Sequence, residues 1–190
     1  MSLIILDRDG VINEDSDEYI KSPEEWIPIE GSLEAIARLH HHGYRVVVVT
    51  NQSGVARGLF SIDTLMAIHS KMHQQINEAG GSIEAIFFCP HAPANRCDCR
   101  KPKPGLLKQV EQRFGVSLRG VCAIGDSLRD IEAARAMGAA PVLVRTGKGE
   151  RTLANHREQL AGVPIDDCLY AYVDRLLSAS VGSANPCLAT

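Results

Sequence analysis

Five short runs rich in apolar and β-branched residues punctuate this chain: LIIL (3–6), VVVV (46–49), IEAIFF (83–88), VCAI (121–124) and PVLV (141–144). They do not alternate strictly between polar and apolar, which is how strands covered on both faces read. Helical patterns separate them, from about Ser32 to His41, from Ser61 (a plausible N-cap) to Glu78, and from Gly105 to Phe114. Another follows VCAI to about Met137, where Gly138 stops it, and a last one runs from Cys168 to Leu177. Strands alternating with helices of this length predict a doubly wound α/β domain, a parallel sheet with helices on both faces. The 190 residues suit one such domain over 1–177, and the small, polar SASVGSANPCLAT (178–190) is expected to be a flexible tail.

Ligands of open α/β sheets bind outside the carboxyl ends of the strands. LIIL is followed there by Asp7-Arg8-Asp9-Gly10, VVVV by Thr50-Asn51-Gln52-Ser53-Gly54, and VCAI by Gly125-Asp126-Ser127, with Asp130 four residues beyond Asp126. A cysteine-rich loop carrying Arg100 and Lys101 follows the third run. Any one carboxylate after a strand is often a turn former. Four chemistry-bearing segments on one rim make a site.

Asp7, Asp9 and Asp126 offer hard oxygen ligands suited to Mg²⁺, and a carboxylate can itself act as a nucleophile toward phosphorus. Charge explains the rest of the set. Three carboxylates repel a phosphate dianion until a divalent cation and a lysine offset them. Thr50 and the N–H groups of Asn51, Gln52 and Ser53 are expected to address the phosphate oxygens, on a loop that Gly54 and Gly58 let bend closely.

DRDGVIN, VVTNQSG, the lysine of RKPKPG and GDSLRD resemble, in order and spacing, the four motifs of the haloacid dehalogenase superfamily of phosphohydrolases, over about residues 3–147. Val11 stands where that family's first motif usually has Thr. The resemblance implies that Asp7 is the nucleophile and Asp9 the general acid and base. It implies that Thr50 and Lys101 hold the phosphoryl group, and that Asp7, Asp126 and the backbone carbonyl of Asp9 bind Mg²⁺. Asp130 would lie behind these ligands.

CPHAPANRCDCRKPKPG (89–105) has the spacing C-x-H-x₅-C-x-C. Four N/S donors suit a closed structural zinc site, whereas a disulfide across Cys97-Asp98-Cys99 would be strained. Cys89, His91, Cys97 and Cys99 are therefore the expected zinc ligands, the alternatives being a redox pair or free thiols. Such a zinc has no open position for chemistry. Its expected work is to fix the loop one residue before Arg100, with Pro102 and Pro104 stiffening the far side.

A zinc loop immediately before RKP, in a chain with no insertion long enough for a large cap, resembles the D,D-heptose 1,7-bisphosphate phosphatases, whose near relatives are the histidinol-phosphate phosphatases. The first group implies removal of the 7-phosphate on the route to lipopolysaccharide core heptose, with no anomer indicated. Arg100 suits a second phosphate or sugar hydroxyls and would repel the amine of histidinol phosphate. Asp15, Asp17, Glu18 and Tyr19 are candidate contacts to sugar hydroxyls, although the carboxylates would also welcome an amine.

A non-catalytic zinc or phosphosugar-binding module is the reading from another class, and the presence of both Asp7 and Asp9 argues against it. A net charge of −3 and 5% aromatic residues give no nucleic-acid or membrane surface. The N-terminal apolar stretch ends after four residues at Asp7, too short for a signal core or a span, so the expected location is the cytoplasm. A chain without a cap can work as a monomer.

Overall fold

The computed structural model describes residues 2–180. Six parallel strands form one sheet: β1 (Leu3–Leu6), β2 (Arg45–Asn51), β3 (Ala85–Cys89), β4 (Cys122–Gly125), β5 (Ala140–Val144) and β6 (Ile165–Asp166). Their order is β3-β2-β1-β4-β5-β6. The chain winds outward in one direction and then the other, so β1 and β4 flank the point where the connections part, which is where α/β sheets leave a crevice.

Alternate strand residues feed two cores. Ile4, Leu6, Val46, Val48 and Ile124 face α1 (Ser32–His41), α2 (Ile62–Glu78) and α6 (Leu169–Ser180). Leu3, Ile5, Val47, Val49 and Ala123 face α3 (Gly105–Phe114) and α4 (Leu128–Ala136). This two-sided burial is why the strand runs lack polar alternation. The expected N-cap is present, since Ser61 Oγ accepts from Thr64 N at 3.0 Å.

Three elements lay beyond the sequence reading. They are the strand order, the short strand β6, and α5 (Gly149–Asn155) in a segment whose periodicity is too brief to signal a helix. Residues 178–180, expected to begin the tail, continue α6, because Leu176 and Leu177 anchor its preceding turn in the core. The remainder of the expected tail lies outside the described residues.

The long connection after β1, residues 7–31, supplies much of one cleft wall. Trp26 fixes it, fully buried in the α1/α2/α6 core, where truncation to Ala would cost about 3–5 kcal/mol. Lys71 of α2 donates to the carbonyls of Pro23 (2.6 Å) and Trp26 (2.9 Å), and Ser32 Oγ donates to Ile12 O at 2.7 Å. Among the described residues, no helix is long and apolar enough to cross a membrane.

Candidate active site

Asp7 sits one residue past β1, where its N–H still donates to Ile124 O of β4 at 2.9 Å. The strand ladder thus sets its position. Carboxylate oxygens of Asp7, Asp126 and Asp130 lie within 4.8 Å of one another, all buried. Lys101 Nζ lies among them, 3.0 Å from Asp7 Oδ1 and 2.7 Å from Asp130 Oδ1, and donates to Val49 O at 2.7 Å.

The electrostatics follow from that crowding. Burial, and then the charges of Asp130 and Asp9 set against that of Lys101, raise Asp7 to about 6. Burial, Asp130 and Asp7 raise Asp126 to about 8. Burial opposes the charge of Lys101, but Asp130 and Asp7 hold its pKa above the ordinary lysine range. Asp126 Oδ1 is buried without a hydrogen-bond partner, while Oδ2 accepts from the Lys148 N–H at 2.8 Å. A clustered, electron-rich oxygen set in which Asp126 Oδ1 faces no donor fits a hard divalent cation. Gly10 (φ 81) is required here, because a Cβ would collide with the Asp126 carboxylate.

Asp9 stands apart from the cluster. Its Oδ1 accepts from Arg8 Nε (3.0 Å), Arg8 Nη2 (2.7 Å) and Asn13 Nδ2 (2.9 Å), and its Oδ2 from Gln52 Nε2 at 2.8 Å. Burial alone would raise its pKa. The Arg8 charge and the bonds from Asn13, Arg8 and Gln52 hold it below the usual carboxylate range instead. The Asp9 carboxylate is thus held by three side chains, and the contact to Mg²⁺ expected of this residue is through its backbone carbonyl.

Several expectations change in detail. Gln52 N–H donates to Cys89 O at 2.7 Å, so it extends the β2–β3 ladder and is no free donor to a phosphate. The Gln52 side chain donates to Thr50 Oγ1 at 2.9 Å, which leaves the threonine hydroxyl hydrogen for another acceptor. Asn51 spends its amide on Lys101, Nδ2 donating to Lys101 O (3.0 Å) and Oδ1 accepting from Lys101 N (3.1 Å). Asp130 is bound by Ser127 N at 3.0 Å and by Ser127 Oγ, a capping box that opens α4. Its carboxylate lies in the same buried cluster as those of Asp7 and Asp126, with both oxygens engaged by Lys101 and Ser127.

A cleft of about 190 Å³ opens above this cluster, and Asp7, Asp9, Asp15, Asp17, Tyr19, Thr50, Asn51, Gln52, Ser53 and Arg100 line it as expected. Glu18 does not: it is exposed, and its carbonyl accepts from Lys21 on the outer side of the loop. Tyr19 adopts a left-handed backbone (φ 67). Asp15 pairs with Lys148, and Asp17 with Lys148 (3.8 Å) and Arg151 (3.4 Å).

Arg8, Arg57, His69, Arg129 and Lys148 belong to no motif that marks them as site residues in the sequence. Arg8 carried a usable signal, since continuing the β1 alternation through Leu6 places it inside the α1/α2/α6 layer, where a cation needs a carboxylate. Its side chain is fully buried, and its Nη1 lies 3.3 Å from Nε2 of buried His69.

In the cysteine loop, Cys99 Sγ lies 3.2 Å from Cys89 Sγ, 3.4 Å from Cys97 Sγ and 3.3 Å from His91 Nδ1. Cys89 Sγ lies 3.6 Å from both His91 Nδ1 and Cys97 Sγ. These separations approach the ~3.8 Å edge of a tetrahedron with bonds of about 2.3 Å. None of the three loop sulfurs is at bonding distance from another, so these four donors fit zinc and not a disulfide among themselves. The next residue, Arg100, donates from Nη1 to His91 O at 3.2 Å, tying the cation to the cysteine loop.

A family profile described as polynucleotide kinase 3 phosphatase matches residues 2–127, and one described as HAD-hydrolase-like matches residues 98–168. The chain is 58% identical to the D-glycero-beta-D-manno-heptose-1,7-bisphosphate 7-phosphatase of Bordetella bronchiseptica, over 81% of this chain and 86% of that one. The chain belongs to the haloacid dehalogenase superfamily of phosphatases. Within that superfamily, the Pseudomonas aeruginosa D-glycero-beta-D-manno-heptose-1,7-bisphosphate 7-phosphatase is 53% identical, over 93% of this chain and 98% of its own. The crystal structure of the B. bronchiseptica D,D-heptose 1,7-bisphosphate phosphatase, complexed with magnesium and phosphate, superposes with a TM-score of 0.92. It is 52% identical and covers 94% of this chain and 99% of that one.

Proposed function

We propose that this phosphatase removes the 7-phosphate of D-glycero-D-manno-heptose 1,7-bisphosphate, the reaction that its relatives carry in their names. The β anomer named for those relatives is the form assigned to it. The observation that carries the reading is the buried Asp7 held by Lys101 beside Asp126, at the parting of the sheet connections.

Asp7 supplies the nucleophilic oxygen. It attacks phosphorus, the bond from phosphorus to the sugar O7 breaks, and an aspartyl-phosphate forms. Asp9 donates its proton to the departing O7; the incoming dianion raises the Asp9 pKa by like-charge repulsion, which counters the Arg8 and Gln52 bonds. Asp9 then takes a proton from the water that attacks the aspartyl-phosphate, and Asp7 is regenerated with release of phosphate. Thr50 donates its free hydroxyl hydrogen to a phosphoryl oxygen, and Lys101 holds Asp7 in place. Mg²⁺ bound by Asp7, Asp126 and the Asp9 carbonyl supplies charge neutralisation at the phosphoryl oxygens. Cys89, His91, Cys97 and Cys99 would hold zinc, which would fix the backbone that leads into Arg100.

The pairing of Asp15 and Asp17 with Lys148 and Arg151 bears on the substrate. Those carboxylates are already matched, so they offer little to the amine of histidinol phosphate, while the cleft presents guanidiniums that repel it. The substrate is a soluble phosphorylated sugar, which suits a cytoplasmic enzyme working as a monomer, without a membrane or nucleic-acid partner. Phosphate release with Mg²⁺ is to be compared for both anomers of the bisphosphate and for histidinol phosphate, with Asp7→Asn as the blank. A kcat/KM advantage for the β-bisphosphate is expected; an advantage for histidinol phosphate would sink this reading.

A further inference from the structure

The cleft holds more positive charge than its own acids engage. Arg57, Arg100, Arg129 and Lys148 all line it. Lys148 is paired with Asp15, the Arg57 guanidinium lies 6.0 Å from the Tyr19 ring centroid, and Arg100 donates to His91 O. Arg129, the second residue of α4, makes no hydrogen bond or ion pair among the described residues, and its Nε is buried without a hydrogen-bond partner.

A purely structural arginine would turn to the nearest acid. Asp130 adjoins it in sequence but is engaged by Lys101 and Ser127 instead. An arginine that merely covers apolar surface with its stem keeps its head in water, yet the Arg129 Nε is buried. Arg100 and Arg129 also face one cleft as like charges, and although Asp130, Asp7, Asp126 and Asp15 attract Arg129 at longer range, none of them takes a hydrogen bond or ion pair from it. Lys101 is poorly placed to serve an anion in that cleft, because Val49 O, Asp7 and Asp130 already surround its ammonium.

We propose that Arg129 binds a phosphate dianion of the substrate, acting with Arg100 as a pair of guanidiniums across the cleft. This rests on the phosphatase reading and deepens it. A planar guanidinium presents two parallel N–H donors to two phosphate oxygens, which an ammonium does not. The phosphate that leaves and the phosphate that stays share this chemistry, and substrate comparison separates them.

The test uses Arg129→Met, which keeps the stem, and Arg129→Lys, which keeps the charge, each checked for an unchanged Tm. Steady-state kinetics are measured with heptose 1,7-bisphosphate and with heptose 7-phosphate, together with inhibition by inorganic phosphate. Arg129→Met is expected to lower kcat/KM for the bisphosphate by about 10- to 100-fold, mainly through KM, with partial recovery in Arg129→Lys. Loss confined to the bisphosphate assigns Arg129 to the phosphate that stays. Equal loss on both substrates, with weaker inhibition by phosphate, assigns it to the phosphate that leaves. A folded Arg129→Met protein with unchanged kinetics and unchanged phosphate inhibition overturns the proposal. Wild-type protein that hydrolyses neither sugar phosphate overturns the phosphatase reading instead, and calorimetric titration of inorganic phosphate into wild type and Arg129→Met still tests the arginine.

Discussion

The ammonium of Lys101 lies 3.0 Å from Oδ1 of Asp7, with both side chains almost fully buried. The lysine is thus the counter-ion of the proposed nucleophile before any substrate arrives. Lys101→Met leaves Asp7 and Asp130 buried without it, a change that costs about 3–5 kcal/mol of stability. Turnover is expected to fall by at least about a thousandfold. Lys101 also restrains the Asp7 pKa, so residual activity should move to higher pH. A thermal melt and a pH–rate profile of the variant check both effects.

Asp126, raised to about 8, carries a proton through neutral pH that Mg²⁺ must displace, whereas Asp7, raised to about 6, does so only at the acid end of that range. Apparent Mg²⁺ affinity is therefore expected to rise with pH between about 6 and 8, by up to roughly tenfold per unit for the single proton on Asp126. Mg²⁺ titrations of activity at pH 6, 7 and 8 read this directly. An affinity independent of pH would show that the carboxylates are already ionised.

Zinc is expected at one atom per chain by elemental analysis. Its removal by chelation, or the substitution Cys97→Ser, frees the segment that carries Arg100; Cys97 and Cys99 only pack against the edge of the α3/α4 core, so the sheet and its helices are expected to persist. The expected result is a raised KM for the bisphosphate with little change in far-UV circular dichroism. Unchanged kinetics in the zinc-free protein would remove the link between metal and substrate.

His69 is held neutral beside Arg8, burial and then the Arg8 charge lowering its pKa from 6.5 to about 3. Between those values the unfolded chain binds a proton that the native protein excludes. Stability therefore rises with pH across that window, is complete above 6.5, and is lost as pH falls toward 3, by up to about 1.4 kcal/mol per unit. The raised carboxylates act in the opposite sense, but they are common to wild type and His69→Gln. The difference in unfolding free energy between the two proteins, followed by urea titration at several pH values, isolates the histidine. A flat difference would mean that His69 is charged in the native state.

Local order along the chain determined the architecture and most of the site. Apolar runs without alternation announced strands covered on both faces, and Asp7, Thr50, Lys101 and Asp126 each follow such a run, so one rim was legible without coordinates. The spacing of Cys89, His91, Cys97 and Cys99 was legible for the same reason, since ligands within eleven residues are brought together by a single loop. Partner choice was not. Nothing near Arg8 in sequence indicates that His69 will meet it, that Lys148 will join Asp15 to Asp126, or that Arg129 will be left facing the cleft unpaired. Periodicity reports the backbone geometry and burial of one segment at a time. Which buried charges touch depends on strand order and loop closure, and those are decided only when residues scores of positions apart pack together.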